Sequence, residues 1–584
     1  MMHLRPPARP GVLLMLAALT AFAIPARAQS NDDIVVPTVT RTYAIENARV
    51  VQAPGRVLDR ATIVIRDGLI TAVGPDAAIP FDAERIAGDS LVVYAGFIDA
   101  LSHTGVPRPR PENNRERVPE PGNPPNDRAG VLPERDVRTL LQPEDKSVAE
   151  LRQAGFTVAH VVPHGPLLPG SGAVILLAGD TPPALVLKGD ASLFARFDTN
   201  RGVYPSTPMG VIAKLRQLYR EAERRRQIET MYAANATGLE RPPYDPVHYA
   251  FFPVIDGTKP VVFYVEDPLE AHRALALSRE LGFDLVLAGL AGSGDALGEI
   301  QAAGVPVFFS LALPEAPKDA DTPADSTEHA EPMTPDDPFI SDFRTRSYED
   351  VEAEKEQLEA RQARARRQHY ELAARLQEAG IPFAFMTMDL KPSDIHESLT
   401  TMIEHGLSED AALAALTTTP ARLLGLAQNL GTIEPGKIAN LVVTDGPYFA
   451  EDSAIRYVFV DGQPFEMEQR PARSASAAAG DAAANPVGTW DYAISTPDGS
   501  YEGTITITGT PGAYSGTITS ALGTTVLENV VLNGRSLTFR FDSGQMGLIE
   551  ADLTIEGNDL SGTMNVSSYG SFPVTGTRTS GPDR

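Results

Sequence analysis

The residues whose types and placement could do chemistry in this chain are histidines and a carboxylate at the ends of apolar runs. The chain contains no cysteine, which excludes disulfides, thiolate metal ligands and a lipid-modified N-terminal cysteine. His103 follows an apolar run and opens a polar, glycine-punctuated turn within residues 93–105. His160 and His164 lie in residues 158–172, a second apolar run that ends in prolines and glycines. Imidazoles at such positions can hold a metal or move a proton. The plainer alternative makes His160 a core histidine and His164 a loop donor, and both readings stand at this level. Asp389 ends the apolar run 383–389. His272, His369 and His405 fall in helical patterns, and His248 and His329 fall in loops, so structural or surface roles are expected for them.

These residues need a scaffold, and its outline is visible in the periodicity. Residues 43–80 alternate short apolar runs with Pro-Gly and Asp-Gly turns, the pattern of β-hairpins. Strand-like runs follow at 156–162, 173–177, 260–265, 284–290, 305–311 and 381–387. Helical patterns at 268–281, 295–303 and 408–424 alternate with them, as in a parallel barrel wrapped by helices. Residues 107–143 and 314–338 are long, Pro-rich insertions, read as surface loops or lids. A charged helix is expected over 348–378, solvated and laced with internal ion pairs.

An Ala/Ser/Gly/Arg linker then leads to about eight short alternating runs over 487–577, separated by turns such as Asn533-Gly534. Eight meandering strands suggest an up-and-down barrel or a related sandwich. Gly488-Thr489-Trp490 resembles the opening of lipocalin-like barrels, and the only tryptophan is expected to plug one end of that small core.

The run Ala95-Gly96-Phe97-Ile98-Asp99-Ala100-Leu101-Ser102-His103 resembles the first barrel strand of the amidohydrolase superfamily, written P-G-F-I-D-A-H-x-H. Residues 430–443 resemble the segment that completes that family's flanking β-sandwich, and 409–426 resemble a late helix of its imidazolonepropionase-like branch. The resemblance covers 43–467. It implies an α/β fold: a TIM-like (β/α)8 barrel with a composite β-sandwich, followed by the C-terminal all-β domain, either a lipocalin-like barrel or a sandwich. The expected boundaries are a signal peptide at 1–28, the sandwich from 41–92 and 428–467, the barrel at 93–427, a linker at 468–485 and the β-domain at 486–579.

The resemblance also implies chemistry. Family members hold one or two metal ions at the barrel mouth, activate water on them and hydrolyse carbon-nitrogen bonds such as cyclic amides and dipeptides. Carried over position by position, His103 is a metal ligand and Asp389 a ligand or base; His164, outside the family's ligand positions, is a candidate further ligand. Leu101, Tyr264 and Ala291 stand where the family has histidines. Tyr264 and His160 are then candidates for substrate contact. A phenol is a poor zinc ligand at neutral pH. The implied cofactor is a divalent metal, zinc first, or none. Two functions therefore follow: an amidohydrolase with an atypical metal site, or a non-catalytic relative whose mouth binds a small molecule or an envelope partner. A scaffold role in which the β-domain is the working part is a third.

Basic residues Arg5 and Arg9, an apolar run over 11–24 and Ala26-Arg27-Ala28 read as a cleavable leader, placing the mature protein in the periplasm or outside the cell with no membrane span. The formal charge of -26 argues against nucleic acid and anionic membrane as partners, leaving a small molecule at the mouth.

Overall fold

The computed structural model describes residues 42–109, 118–290, 294–314, 355, 357–358, 360–388, 390–450, 452–467 and, with gaps at several turns, 485–580. The expected leader, residues 110–117 of the first insertion, all of the second beyond Pro314, Ala291 and Asp389 lie outside the described residues. The chain divides into two compact units, at 1–468 and 469–584.

The first unit opens with β1 (Thr42–Ala53), β2 (Arg56–Arg66), β3 (Leu69–Gly74), β4 (Glu84–Ala87) and β5 (Val92–Ala95). Bulges in β1, between Ile45 and Ala48 and again up to Val50, bend the strand, so that β2 pairs along one edge while β4 and then β5 pair along the other. The barrel strands follow: β6 (Phe97–Ser102), β7 (Phe156–Val161), β8 (Gly170–Leu176), β9 (Val186–Arg196), β10 (Val261–Val265), β11 (Leu285–Gly289), β12 (Val307–Ser310) and β13 (Phe383–Met386). The chain then returns as β14 (Leu441–Thr444), β15 (Ile455–Val460) and β16 (Gln463–Glu466). β14 joins β5, giving one continuous eight-stranded sheet built from both ends of the unit. Ile45, Ile63, Val93, Leu441 and Phe459 share its core.

The eight barrel strands pair in sequence order. Period-two alternation sorts the side chains of β10, β12 and β13. On β10, Val261, Phe263 and Val265 join the outer core against the helices, while Val262 and Tyr264 belong to the inner cluster. β12 and β13 follow the same rule, with Phe308, Ala384 and Met386 inward. β8 departs from the pattern, running antiparallel to both neighbours. The prolines and glycines of 163–170 turn the chain straight back, where a parallel connection needs a crossover of a dozen or more residues.

No β-ladder joins β13 to β6, although the two strands lie side by side. Asp99 closes that seam. Its carboxylate accepts hydrogen bonds from the Thr387 backbone N–H at 3.0 Å and from the Thr387 hydroxyl at 2.6 Å, with the Leu101 N–H at 3.2 Å as a third donor. The helical pattern at 408–424 resolves into Glu409–Leu416 and Thr418–Leu423, broken at Thr417 with φ −128° and ψ −79°. Pro420 sits in the first turn of the second piece, where its missing N–H costs nothing.

In the second unit, β17 (Gly488–Thr496), β18 (Gly499–Thr510), β19 (Ala513–Ser520), β20 (Gly523–Asn533), β21 (Ser536–Asp542), β22 (Leu548–Glu556), β23 (Asp559–Val566) and β24 (Gly570–Ser580) form a closed antiparallel barrel. Of the two architectures the turns allow, the chain adopts the barrel.

Candidate functional site

The mouth of the first barrel is set by where β6, β7, β9 and β10 end. On β6 the alternation fails. Asp99 pairs with Ala159 and Ser102 with Val161, so β6 advances three residues while β7 advances two. The resulting bulge turns both Ala100 and Leu101 into the inner cluster, and Leu101 is wholly buried there with Val158, Phe308 and Met388. An aliphatic side chain thus fills the first ligand position.

His103 stands just beyond the strand, with its Nδ1–H donating to the Val162 carbonyl at 2.8 Å. His164 crosses over from the β7–β8 connection, its Nε2–H donating to the Val106 carbonyl at 3.0 Å. These tautomers are assigned from their carbonyl partners. The two rings stack, with centroids 3.7 Å apart and planes inclined by 30°. Burial holds the His103 imidazole down to about 3, helped by His164 and then by Arg196 and Arg108, against the opposing Val162 hydrogen bond. His103 is therefore neutral at any ordinary pH.

The stack decides what this pair can do with a metal. Imidazole lone pairs lie in the ring plane, and a bound zinc sits about 2 Å from nitrogen along that direction. An ion shared by two rings stacked at 3.7 Å would lie well off both planes. His103 and His164 come together as the sequence suggested, but not as a chelating pair. Among the described residues no group of three or more His, Cys, Asp or Glu side chains is placed to hold a metal ion. The donor set among the described residues does not fit a tightly bound metal. Asp389, expected as ligand or base, lies outside the described residues.

His160 points into the barrel interior, below the mouth. It is 1% exposed, donates from Nδ1 to the Ala100 carbonyl at 2.9 Å and accepts at Nε2 from the Ser192 hydroxyl at 2.9 Å. Burial lowers it to about 4, and the Phe308 ring lies 6.0 Å away. With both nitrogens engaged inside the protein, its ring ties β7 to β6 and β9. Tyr264, inward and half-buried at the end of β10, lies under the Arg196 guanidinium, 4.5 Å from its ring centroid.

Arg196 had no part in the sequence reading, yet it organises this side of the mouth. It pairs with Tyr264 across β9 and β10, places Nε 2.7 Å from Asp198, and lies 3.8 Å from Glu266. The available signal was the apolar run Ala191–Ala195 ending in an arginine, which makes Arg196 the charged terminus of a strand. Beside it opens a cleft of about 650 Å³, lined by His164, Arg196 and Asp198 and by Arg108, Arg201 and Thr207. Asp99 was visible within the quoted motif, but its partner Thr387 is 288 residues away.

Residues 346–465 match the model of the amidohydrolase family. The structure is similar to that of an amidohydrolase from Thermotoga maritima MSB8, with a TM-score of 0.55 and 22% identity, over 73% of this chain and 100% of that one. A Xaa-Pro dipeptidase with bound methionine matches at a TM-score of 0.38 and 16% identity, over 73% of this chain and 100% of that chain. Molinate hydrolase matches at 0.40 and 15%, over 76% and 99%. No curated protein matches the sequence. Residues 346–465 are thus similar to the amidohydrolase family, and the first unit shares the barrel fold of the Thermotoga protein.

Proposed function

We propose that this is an exported member of the amidohydrolase superfamily whose barrel mouth binds a small molecule without metal-assisted hydrolysis. The observation that carries the reading is the mouth itself. Leu101 is sealed into the core, and His103 is stacked on His164 in a geometry that cannot direct two lone pairs at one ion. The cleft beside them offers guanidinium, hydroxyl and imidazole groups instead. Export rests on the leader pattern at 5–28. Among the described residues no helix is long and apolar enough to cross a membrane.

One observation favours a second reading, hydrolysis of a carbon-nitrogen bond on a loosely held zinc. His103 keeps its place at the mouth of a barrel in a family built for that reaction. The experiment that separates the two is elemental mass spectrometry on the mature, untagged protein, alongside assays on cyclic amides and dipeptides. The binding reading expects substoichiometric metal and no turnover. Near-stoichiometric zinc, manganese or iron that His103→Ala and Asp389→Ala both abolish would overturn it. Mass spectrometry of the exported form, expected to begin at Gln29, tests the leader.

A further inference from the structure

The cleft beside His164 is lined by more arginines than carboxylates in an acidic chain. Three guanidiniums line it, those of Arg108, Arg196 and Arg201, against the single carboxylate of Asp198. Arg196 and Asp198 form an ion pair at 2.7 Å, and Glu266 stands 3.8 Å from the same arginine. Arg108 and Arg201 form no ion pair or hydrogen bond among the described residues, and both are exposed. In a chain of net charge -26, these two arginines stand together on the walls of one cleft with no carboxylate partner among the described residues. The cleft also presents the Ser206 hydroxyl and Thr207, whose Oγ1 accepts from the Gly210 N–H and caps the helix Pro208–Ala234.

We infer that this cleft receives a small molecule through its oxyanion group, a carboxylate or a phosphate, with Arg108 and Arg201 as the residues that recognise the charge. Arginine suits the task because its planar fork donates two parallel hydrogen bonds to either anion and remains charged at every relevant pH. Arg196 has a different part. Held over Tyr264 and paired with Asp198, it forms a fixed floor, and its own charge is already compensated. A volume of about 650 Å³ lies within the range of small-molecule sites and is too small for a macromolecular partner. The inference deepens the proposed function and rests on its premise that the mouth binds a small molecule.

Calorimetric titration of the mature full chain tests it, with succinate, inorganic phosphate and neutral succinamide as probes. Saturable binding of succinate or phosphate, weakened by added salt, is expected, and the stronger of the two identifies the anion. Arg108→Ala and Arg201→Ala should each weaken that binding about tenfold or more, and Arg201→Lys should retain part of it. Both arginines are exposed, and an unchanged melting curve for each variant shows that the fold is intact. Equal binding of succinamide, unaltered affinity in the double variant, or no heat from either anion would overturn the inference. Metal content measured on the same samples keeps the two readings apart. Stoichiometric metal with a working anion site refutes only the non-catalytic reading, and metal-free protein that ignores both anions refutes only this one.

Discussion

The inner space of the first barrel and that of the second are filled by different means. In the first, Asp99, His160, Ser192 and Thr387 are buried alongside Leu101, Phe194 and Phe308, and hydrogen bonds among them tie strands that are neighbours in space. In the second, the core is aliphatic and aromatic, with Trp490, Ile505, Leu537 and Leu553 wholly buried. Tyr492 is the one buried ionisable side chain in that core among the described residues, with Tyr514 half-buried against it. The second barrel is closed by backbone ladders all the way round, whereas the first has an unladdered seam at β6 and β13 that a carboxylate bridges. Closure by ladder leaves the interior free to be apolar. Closure by side chain buries a titratable group, and the stability of that barrel then depends on pH.

The largest effect should come from emptying the apolar core. Trp490 is 0% exposed, its indole Nε1–H donates to the Pro486 carbonyl at 2.9 Å, and the Arg578 guanidinium lies 4.2 Å from its ring. Trp490→Ala should cost the second barrel about 3–5 kcal/mol through lost burial and the cavity left behind. Scanning calorimetry should then show one melting transition moving down while the first unit's stays in place. Movement of both by the same amount would break the contrast, because the two cores would be melting as one.

A somewhat smaller loss is expected at the seam of the first barrel. Asp99→Ala leaves the Leu101 N–H and both Thr387 donors without their acceptor in a fully buried position. Unsatisfied buried donors at that site should cost about 3 kcal/mol. Thr387→Val, which deletes only the 2.6 Å hydroxyl bond, should cost about 1–2 kcal/mol. Hydrogen exchange offers the sharper readout. Protection should fall first in β6 and β13 if Asp99 is what closes the barrel, and uniform loss across the unit would argue that it is an ordinary core residue.

How far these features could be read in advance follows the range of the interactions that create them. Strands such as 260–265 and 381–387 announce themselves because alternation is local, and the eight runs of the second barrel are separated by turn residues that fix each hairpin. The resemblance at 93–105 and 430–443 pointed to the fold for the same reason, since each motif is contiguous. The reversed direction of β8 depends on how 163–170 folds back, which composition alone does not determine. The bulge that buries Leu101 is a misfit between β6 and β7, visible only once Asp99 and Ser102 are set against Ala159 and Val161. Period-two counting along an undistorted strand would put residues 101 and 103 on one face, and the bulge removes the premise of that count. The stack of His103 on His164 joins two loops 61 residues apart and has no signature in either.

The mildest prediction is the dependence of the contrast on acid. Burial depresses His103 to about 3 and His160 to about 4, both from an ordinary value of 6.5. Each is neutral when folded and takes up a proton when unfolded. Their contribution to stability is therefore complete above about pH 6.5 and is lost as pH falls toward the folded values. The loss is at most about 1.4 kcal/mol per pH unit for each histidine. Asp99 works in the opposite sense. Burial raises its carboxyl above the ordinary 3.8, outweighing the Thr387, Ser102 and Leu101 donors, so its contribution is complete below that ordinary value and declines as pH rises through the raised one. The first barrel is thus squeezed from both sides, while the apolar core of the second has no group that titrates in this range. Melting curves taken between pH 7.5 and 5 should show the first transition falling with acid. The second, followed through the fluorescence of the only tryptophan in the chain, should stay nearly level. His160→Gln should flatten the acid slope by one proton's share even while it lowers stability at neutral pH. An unchanged slope in that variant would mean that the buried ring is not the group taking up the proton, and that the acid sensitivity belongs to the surface.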